Sequence, residues 1–175
     1  MKIKKNVESI KSDKFLKELS FCRNDTNSYL RKLLPHENKE KLYDAINYAI
    51  FSGGKRFRAF LVIQAAKLFE IPRIRALQAA SAIEATHTYS LVHDDLPSMD
   101  NDDLRRGKPT VHIKWDEATA VLVGDALQAF AYQILSDKKT HPNSEVRLHL
   151  IKTLSEASGH NGMVLGQSKD LEAEK

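Results

Sequence analysis

The chain has 175 residues, 27 Lys and Arg against 23 Asp and Glu, and a formal net charge of +4. That length supports one domain with a real core, and residues 1–175 read as a single all-helical domain. So mild a charge, with no long block of like residues, argues against a nucleic-acid partner.

The basic N-terminus, MKIKKNVESIKSDK, has no apolar core behind it, so no signal peptide is expected. No run of about 18 apolar residues is found, so no membrane span is expected. Cys22 is the only cysteine. It excludes an intrachain disulfide and fits a reducing, cytoplasmic setting.

Strand signals are weak and helical periodicity dominates. A first helix is predicted over about Val7 to Phe21, with Ile10, Leu16 and Leu19 inward. Leu42, Ile46, Ala49 and Ile50 form the apolar stripe of a second, ended by Gly53-Gly54. A third, about Phe57 to Phe69, is apolar almost all round and predicted to be buried. Pro72 opens a long helix from about Ile74 through Val92, whose end Pro97 disturbs. Asp116 reads as the N-cap of a helix reaching about Leu135. Another runs from about Ser144 through Ala157. After Gly159 and Gly162, helical character resumes to the last residue.

The richest chemistry lies in HTYSLVHDDLPSMDNDDLRRGKPT, residues 87–110. Carboxylates here are followed at once by bases, between two apolar helices. Mg²⁺ takes oxygen ligands and shares carboxylates with substrate phosphates. Asp94 and Asp100 lie six apart, about 120° from overlap on an ideal helix, and a distortion at Pro97 would bring them together. Otherwise they form a solvated acidic loop. Arg105 and Arg106, beside Gly107, have the forks that grip phosphate oxygens; the plainer reading is charge balance with Asp100, Asp102 and Asp103. Gly53-Gly54-Lys55-Arg56-Phe57-Arg58 puts a turn and three bases at a helix start, a candidate diphosphate cradle without Walker A spacing; the plainer reading is a glycine C-cap with surface bases.

His87 lies two turns before Asp94 on nearly the same helical face, which favours ligand contact over a core role. Ser90 is one turn below Asp94, with Tyr89 beside it. His93 has no such alignment and is left structural. Gly124-Asp125, and Gln167 with Asp170, put polar groups into apolar patterns; exposure is the simpler reading for either pair.

Taken together, GGKRFR, the 87–110 stretch, VLVGDAL at 121–127 and GQSKDLEAE at 166–174 resemble the trans-prenyltransferases, the polyprenyl diphosphate synthases. The resemblance implies an all-α bundle of the helical isoprenoid-synthase type, around a deep apolar cavity. It implies that Asp94 and Asp100, supported by Asp95, hold more than one Mg²⁺ on an allylic diphosphate gripped by Arg105. It implies that Lys55, Arg58, His87 and Arg106 bind isopentenyl diphosphate, and that Gln167 and Asp170 face the metal region. No nucleophilic side chain is required. The allylic diphosphate ionises once its charge is neutralised, and the apolar cavity keeps water from the cation.

Tyr89 would form the cavity floor beside Ser90, and Pro97-Ser98 match two extra residues of bacterial members that make farnesyl diphosphate. A C15 product is therefore implied, with geranylgeranyl diphosphate as the alternative. A terpene cyclase is disfavoured, because it would have no use for GGKRFR. The resemblance also implies a homodimer. The family's second aspartate-rich motif has no counterpart in the sequence, so the chain is expected to be the family's N-terminal portion, truncated before the C-terminal helices. Either a longer chain or a partner completes the enzyme, or the fragment is inactive.

Overall fold

A computed structural model describes residues 2–34 and 40–173, with side-chain surroundings from residue 13 onward. Among them are α1 (Lys2–Leu33), α2 (Lys41–Phe51), α3 (Phe57–Leu68), α4 (Arg73–Asp94), β1 (Leu104–Arg105), β2 (Lys108–Pro109), α5 (Val111–Lys114), α6 (Glu117–Ser136), α7 (Ser144–Ser158) and α8 (Met163–Ala173).

The centre is α4 laid along α6, with α3 and α1 on one side and α2, α5 and α7 around α6. Small residues let α4 come close to its neighbours: Ala80, Ala82 and Ala85 are fully buried. Its inner face continues through Tyr89 and Val92 into a cluster with Ile46, Ile50, Val123 and Leu127. Leu42 and Ala49 pack against that cluster, so the stripe read on α2 points inward as expected.

The helix ends follow their side chains. The Asp116 carboxylate accepts from the Thr119 amide at 2.6 Å, as an N-cap should, and also pairs with Lys41 at 2.6 Å. Asn143 caps α7 by accepting from the Glu145 amide.

Four expectations need correction. The first helix extends to Leu33 rather than stopping near Phe21, and Leu16 on it is 55% exposed; Leu19 does pack inward, and Ile10 lies outside the described side chains. Helix α3 is not buried all round. Ala59, Phe60 and Ile63 face α1 and α4, while Phe57, Leu61 and Leu68 face outward. The structure also contains a short antiparallel hairpin, Leu104 opposite Pro109 and Arg105 opposite Lys108. Finally, α6 is long and apolar enough to cross a membrane by length and composition, although its most extensive packing is against α4. Helix α8 ends at Ala173, and the last two residues lie outside the described ones.

Candidate functional site at the end of the fourth helix

The site is assembled where α4 stops. The chain turns tightly after Asp94, and the Asp100 amide donates to the Asp94 carbonyl at 2.8 Å. That turn closes the angular gap left by the six-residue spacing. Burial lifts the Asp94 carboxyl above the usual range, and repulsion from Asp100 lifts it further. A half-buried carboxylate beside a second one is a place where a cation is electrostatically welcome.

Asp95 is buried and turned away from this pair. Arg105 donates to it through Nε at 2.8 Å and again through Nη2, and Nη2 also reaches Asp102 at 3.0 Å. Burial still raises the Asp95 carboxyl, against the pull of Arg105. Charge balance is thus realised for Arg105, through Asp95 and Asp102.

The hairpin aims two consecutive arginines in different directions. Arg106 and Gly107, with φ of 57° and 74°, form its two-residue turn. Both positions are left-handed, as the favoured hairpin turns require, and an arginine tolerates this poorly. Arg106 is held there by donating to the Gly53 carbonyl. A Cβ on Gly54 would lie 2.6 Å from the Arg106 guanidinium, so this glycine serves both a φ of 108° and the close approach.

A cavity of about 560 Å³ is lined by Gly54, Lys55, Arg58, His87 and Arg106, with the Arg56–Glu84 pair behind them. Arg58 Nη1 lies 3.3 Å from His87 Nε2. Arginine only donates, so that nitrogen accepts and the ring is neutral with its proton on Nδ1. Desolvation first, then the Arg58 charge, hold the His87 pKa down to about 4. Desolvation and Arg56 likewise lower Arg106. Basic side chains gathered around one cavity are suited to an anion.

Arg56 itself has a different task, which the sequence did not disclose. It is buried, donates to Glu84 Oε2 at 3.0 Å and to Asn27 at 2.9 Å, and reaches the Ile50 carbonyl. Glu84 Oε1 in turn accepts from the Ala59 amide at 3.0 Å, capping α3 from a neighbouring helix. This ion pair fixes the turn that presents Lys55 and Arg58.

A second cavity, of about 690 Å³ and mainly apolar walls, lies nearer the C-terminal end of α4. Tyr89, Ser90, His93, Asp94, Met99, Val121, Met163 and Gln167 line it. Tyr89 is buried, and its ring meets His93 edge-on at 5.8 Å. Its hydroxyl interacts with Gln128 without a hydrogen bond of normal geometry. His93, read as structural, lines the cavity and contacts the Val121 carbonyl at 3.1 Å. It can do so because residue 124 is glycine: a Cβ there would fall 1.9 Å from its Nε2.

His87 and Asp94 therefore face different cavities although they share a helix. The ring's partner is Arg58, and the expected alignment with Asp94 is not what engages it. Gln167 reaches the apolar cavity, whereas Asp170 is exposed and Glu172 lines the wall instead. Asp125 is exposed, as its simpler reading had it.

The polyprenyl synthetase model matches residues 39–175. This chain belongs to the polyprenyl synthetase family. The farnesyl diphosphate synthase of Haemophilus influenzae is 46% identical over 162 residues, covering 91% of this chain and 55% of that protein. That of Micrococcus luteus is 49% identical over 139 residues, covering 79% and 47%. Among solved structures, an FPP/GFPP synthase from Zymomonas mobilis superposes with a TM-score of 0.87 at 50% identity, over 91% of this chain and 59% of that one. The fold is thus the all-α isoprenoid-synthase bundle, and the chain spans about half the length of the curated relatives it matches.

For a polyprenyl synthetase, the carboxylates suit Mg²⁺. Among the described residues no group of three or more His, Cys, Asp or Glu side chains converges. The Asp94–Asp100 pair instead matches an ion that takes one or two carboxylates and leaves its other positions to phosphate and water.

Proposed function

We propose that this chain carries the substrate-binding half of a head-to-tail prenyl transfer. Isopentenyl diphosphate condenses with dimethylallyl or geranyl diphosphate to give farnesyl diphosphate. The observation carrying this reading is the hairpin. Adjacent Arg105 and Arg106 face two different sites, one with the carboxylate pair Asp94 and Asp100, the other with Lys55, Arg58 and His87.

Asp94 and Asp100 hold Mg²⁺, with Asp95 keeping Arg105 in place beside them. The metal, more than one ion in a complete site, supplies Lewis-acid neutralisation of the allylic diphosphate. Arg105 adds a guanidinium to that diphosphate. Lys55, Arg58 and Arg106 hold the second diphosphate, and neutral His87 offers it the Nδ1 proton. The apolar cavity takes the hydrocarbon chain and excludes water from the cation. Tyr89 closes its floor, Ser90 and Gln167 lie on its wall, and Asp170 stands outside it. Farnesyl diphosphate synthases among the relatives favour the C15 product. Geranylgeranyl pyrophosphate synthase 4 of Arabidopsis thaliana, 43% identical over 148 residues, keeps the C20 product as the second reading. A homodimer and a cytoplasmic location belong to the same reading.

The test is incubation with geranyl diphosphate, labelled isopentenyl diphosphate and Mg²⁺, with chromatography of the extracted product. Farnesyl diphosphate, abolished by chelation and by Asp94→Asn, is expected. No transfer, together with no Mg²⁺-dependent binding of geranyl diphosphate in a titration, would overturn the proposal.

A further inference from the structure

The hairpin carrying both arginines is only two residues deep on each strand, too small to hold its own geometry in water. Its anchors therefore decide where Arg105 and Arg106 point. One anchor is the Arg106 contact with the Gly53 carbonyl, at the turn. Asp95, which accepts from Arg105, is a second, and a third is at the opposite end, where the Tyr48 hydroxyl donates to the Pro109 carbonyl at 2.7 Å.

Tyr48 is braced for this role. The Lys114 ammonium sits 3.7 Å from the centre of its ring, and Trp115 meets the ring edge-on at 5.2 Å. Residues 104–115 thus bend around one side chain of α2. Its hydroxyl takes the outgoing strand and its ring takes the end of α5. The cleft between hairpin and helices, lined by Tyr48, Thr88, Asp95, Arg105, Arg106 and Pro109, has only about 30 Å³ free. Displacement at Pro109 is therefore passed to the arginines.

We infer that Tyr48 is a positioning residue, whose bond to the Pro109 carbonyl sets the hairpin so that Arg105 and Arg106 address two separate diphosphates. The inference rests on the proposed diphosphate reading only in naming what the arginines bind.

Tyr48→Phe keeps the ring, its cation and its aromatic neighbour, and removes only the hydroxyl. Three quantities are compared in the full chain: amide hydrogen exchange, the thermal midpoint, and titration with inorganic pyrophosphate in Mg²⁺. Exchange is expected to quicken over residues 104–110 and not elsewhere. Pyrophosphate should bind roughly five- to tenfold more weakly, as for the loss of one hydrogen bond. The midpoint should fall by no more than about 6 °C, as for one hydrogen bond. Unchanged exchange in the hairpin overturns the inference. So does an unchanged pyrophosphate affinity, or exchange that rises evenly through the chain as the midpoint falls, which marks Tyr48 as packing alone. If the unmodified chain binds no pyrophosphate, the diphosphate reading fails, and the exchange result alone decides whether Tyr48 sets the hairpin.

Discussion

Replacing Glu84 by Gln tests whether one buried ion pair holds the cation site. Both partners are 3% exposed in their side chains, and Glu84 accepts from Arg56 and from the Ala59 amide. The amide of Gln can still accept one hydrogen bond, but it leaves Arg56 buried beside a neutral group. Breaking a buried pair from one side costs about 3–5 kcal/mol, because the remaining charge is uncompensated. The Asn27 and Ile50 contacts of Arg56 survive and place this case at the low end, about 3 kcal/mol. For a chain of this size, that lowers the thermal midpoint by roughly 6–12 °C. The assay is thermal unfolding followed by far-ultraviolet circular dichroism, with urea unfolding for the free energy. The turn at 53–56 should loosen as well, so pyrophosphate should bind more weakly at temperatures where the variant is still folded. A midpoint within 2 °C of the parent would refute the claim that Arg56 and Glu84 hold this turn.

Further outcomes follow from the same geometry. Gly124→Ala places a methyl on His93 and should cost about 1–3 kcal/mol, measured by urea unfolding; a loss below about 0.5 kcal/mol would mean α6 does not need glycine there. His87 has a folded pKa of about 4 against 6.5 unfolded, so the unfolded chain takes up its proton first and stability falls as pH drops from 6.5 towards 4. His87→Gln should remove roughly 1–2 kcal/mol of that decline after solvent screening, and parallel stability–pH curves for the two proteins would exclude it. Tyr89→Ala should lengthen the prenyl product by opening the cavity floor, as read by product chromatography; an unchanged chain length removes Tyr89 from that role.

Much of the site was legible in order but not in arrangement. Spacing marked Asp94 and Asp100 as candidates, yet an ideal helix kept them apart; the turn that joins Asp100 to the Asp94 carbonyl closes the gap. Gly107 was read only as a neighbour of phosphate-gripping arginines, and arginine at the preceding left-handed position concealed a hairpin that asparagine or glycine would have advertised. His93 and Gly124 are 31 residues apart in sequence, and neither by itself signals the contact that couples them. Arg56 looked like one more base in a cationic run.

Local periodicity and end signals determined the helices α2, α4, α6 and α7, the Asp116 cap and the all-α class. These depend on which faces are apolar and on backbone groups within one turn. The four ordered motifs determined the family. Tertiary structure decided which bases stay free for a ligand and which are committed to the protein. Arg56 is tied to Glu84 inside the protein, Lys55, Arg58 and His87 line a cavity, and Arg105 is held by Asp95 with its side chain still partly exposed. It also decided that His87 and Asp94, on nearly one face of α4, line separate cavities two turns apart. Partnership and burial arise from elements distant in sequence, so residue type and spacing along one helix could not specify them.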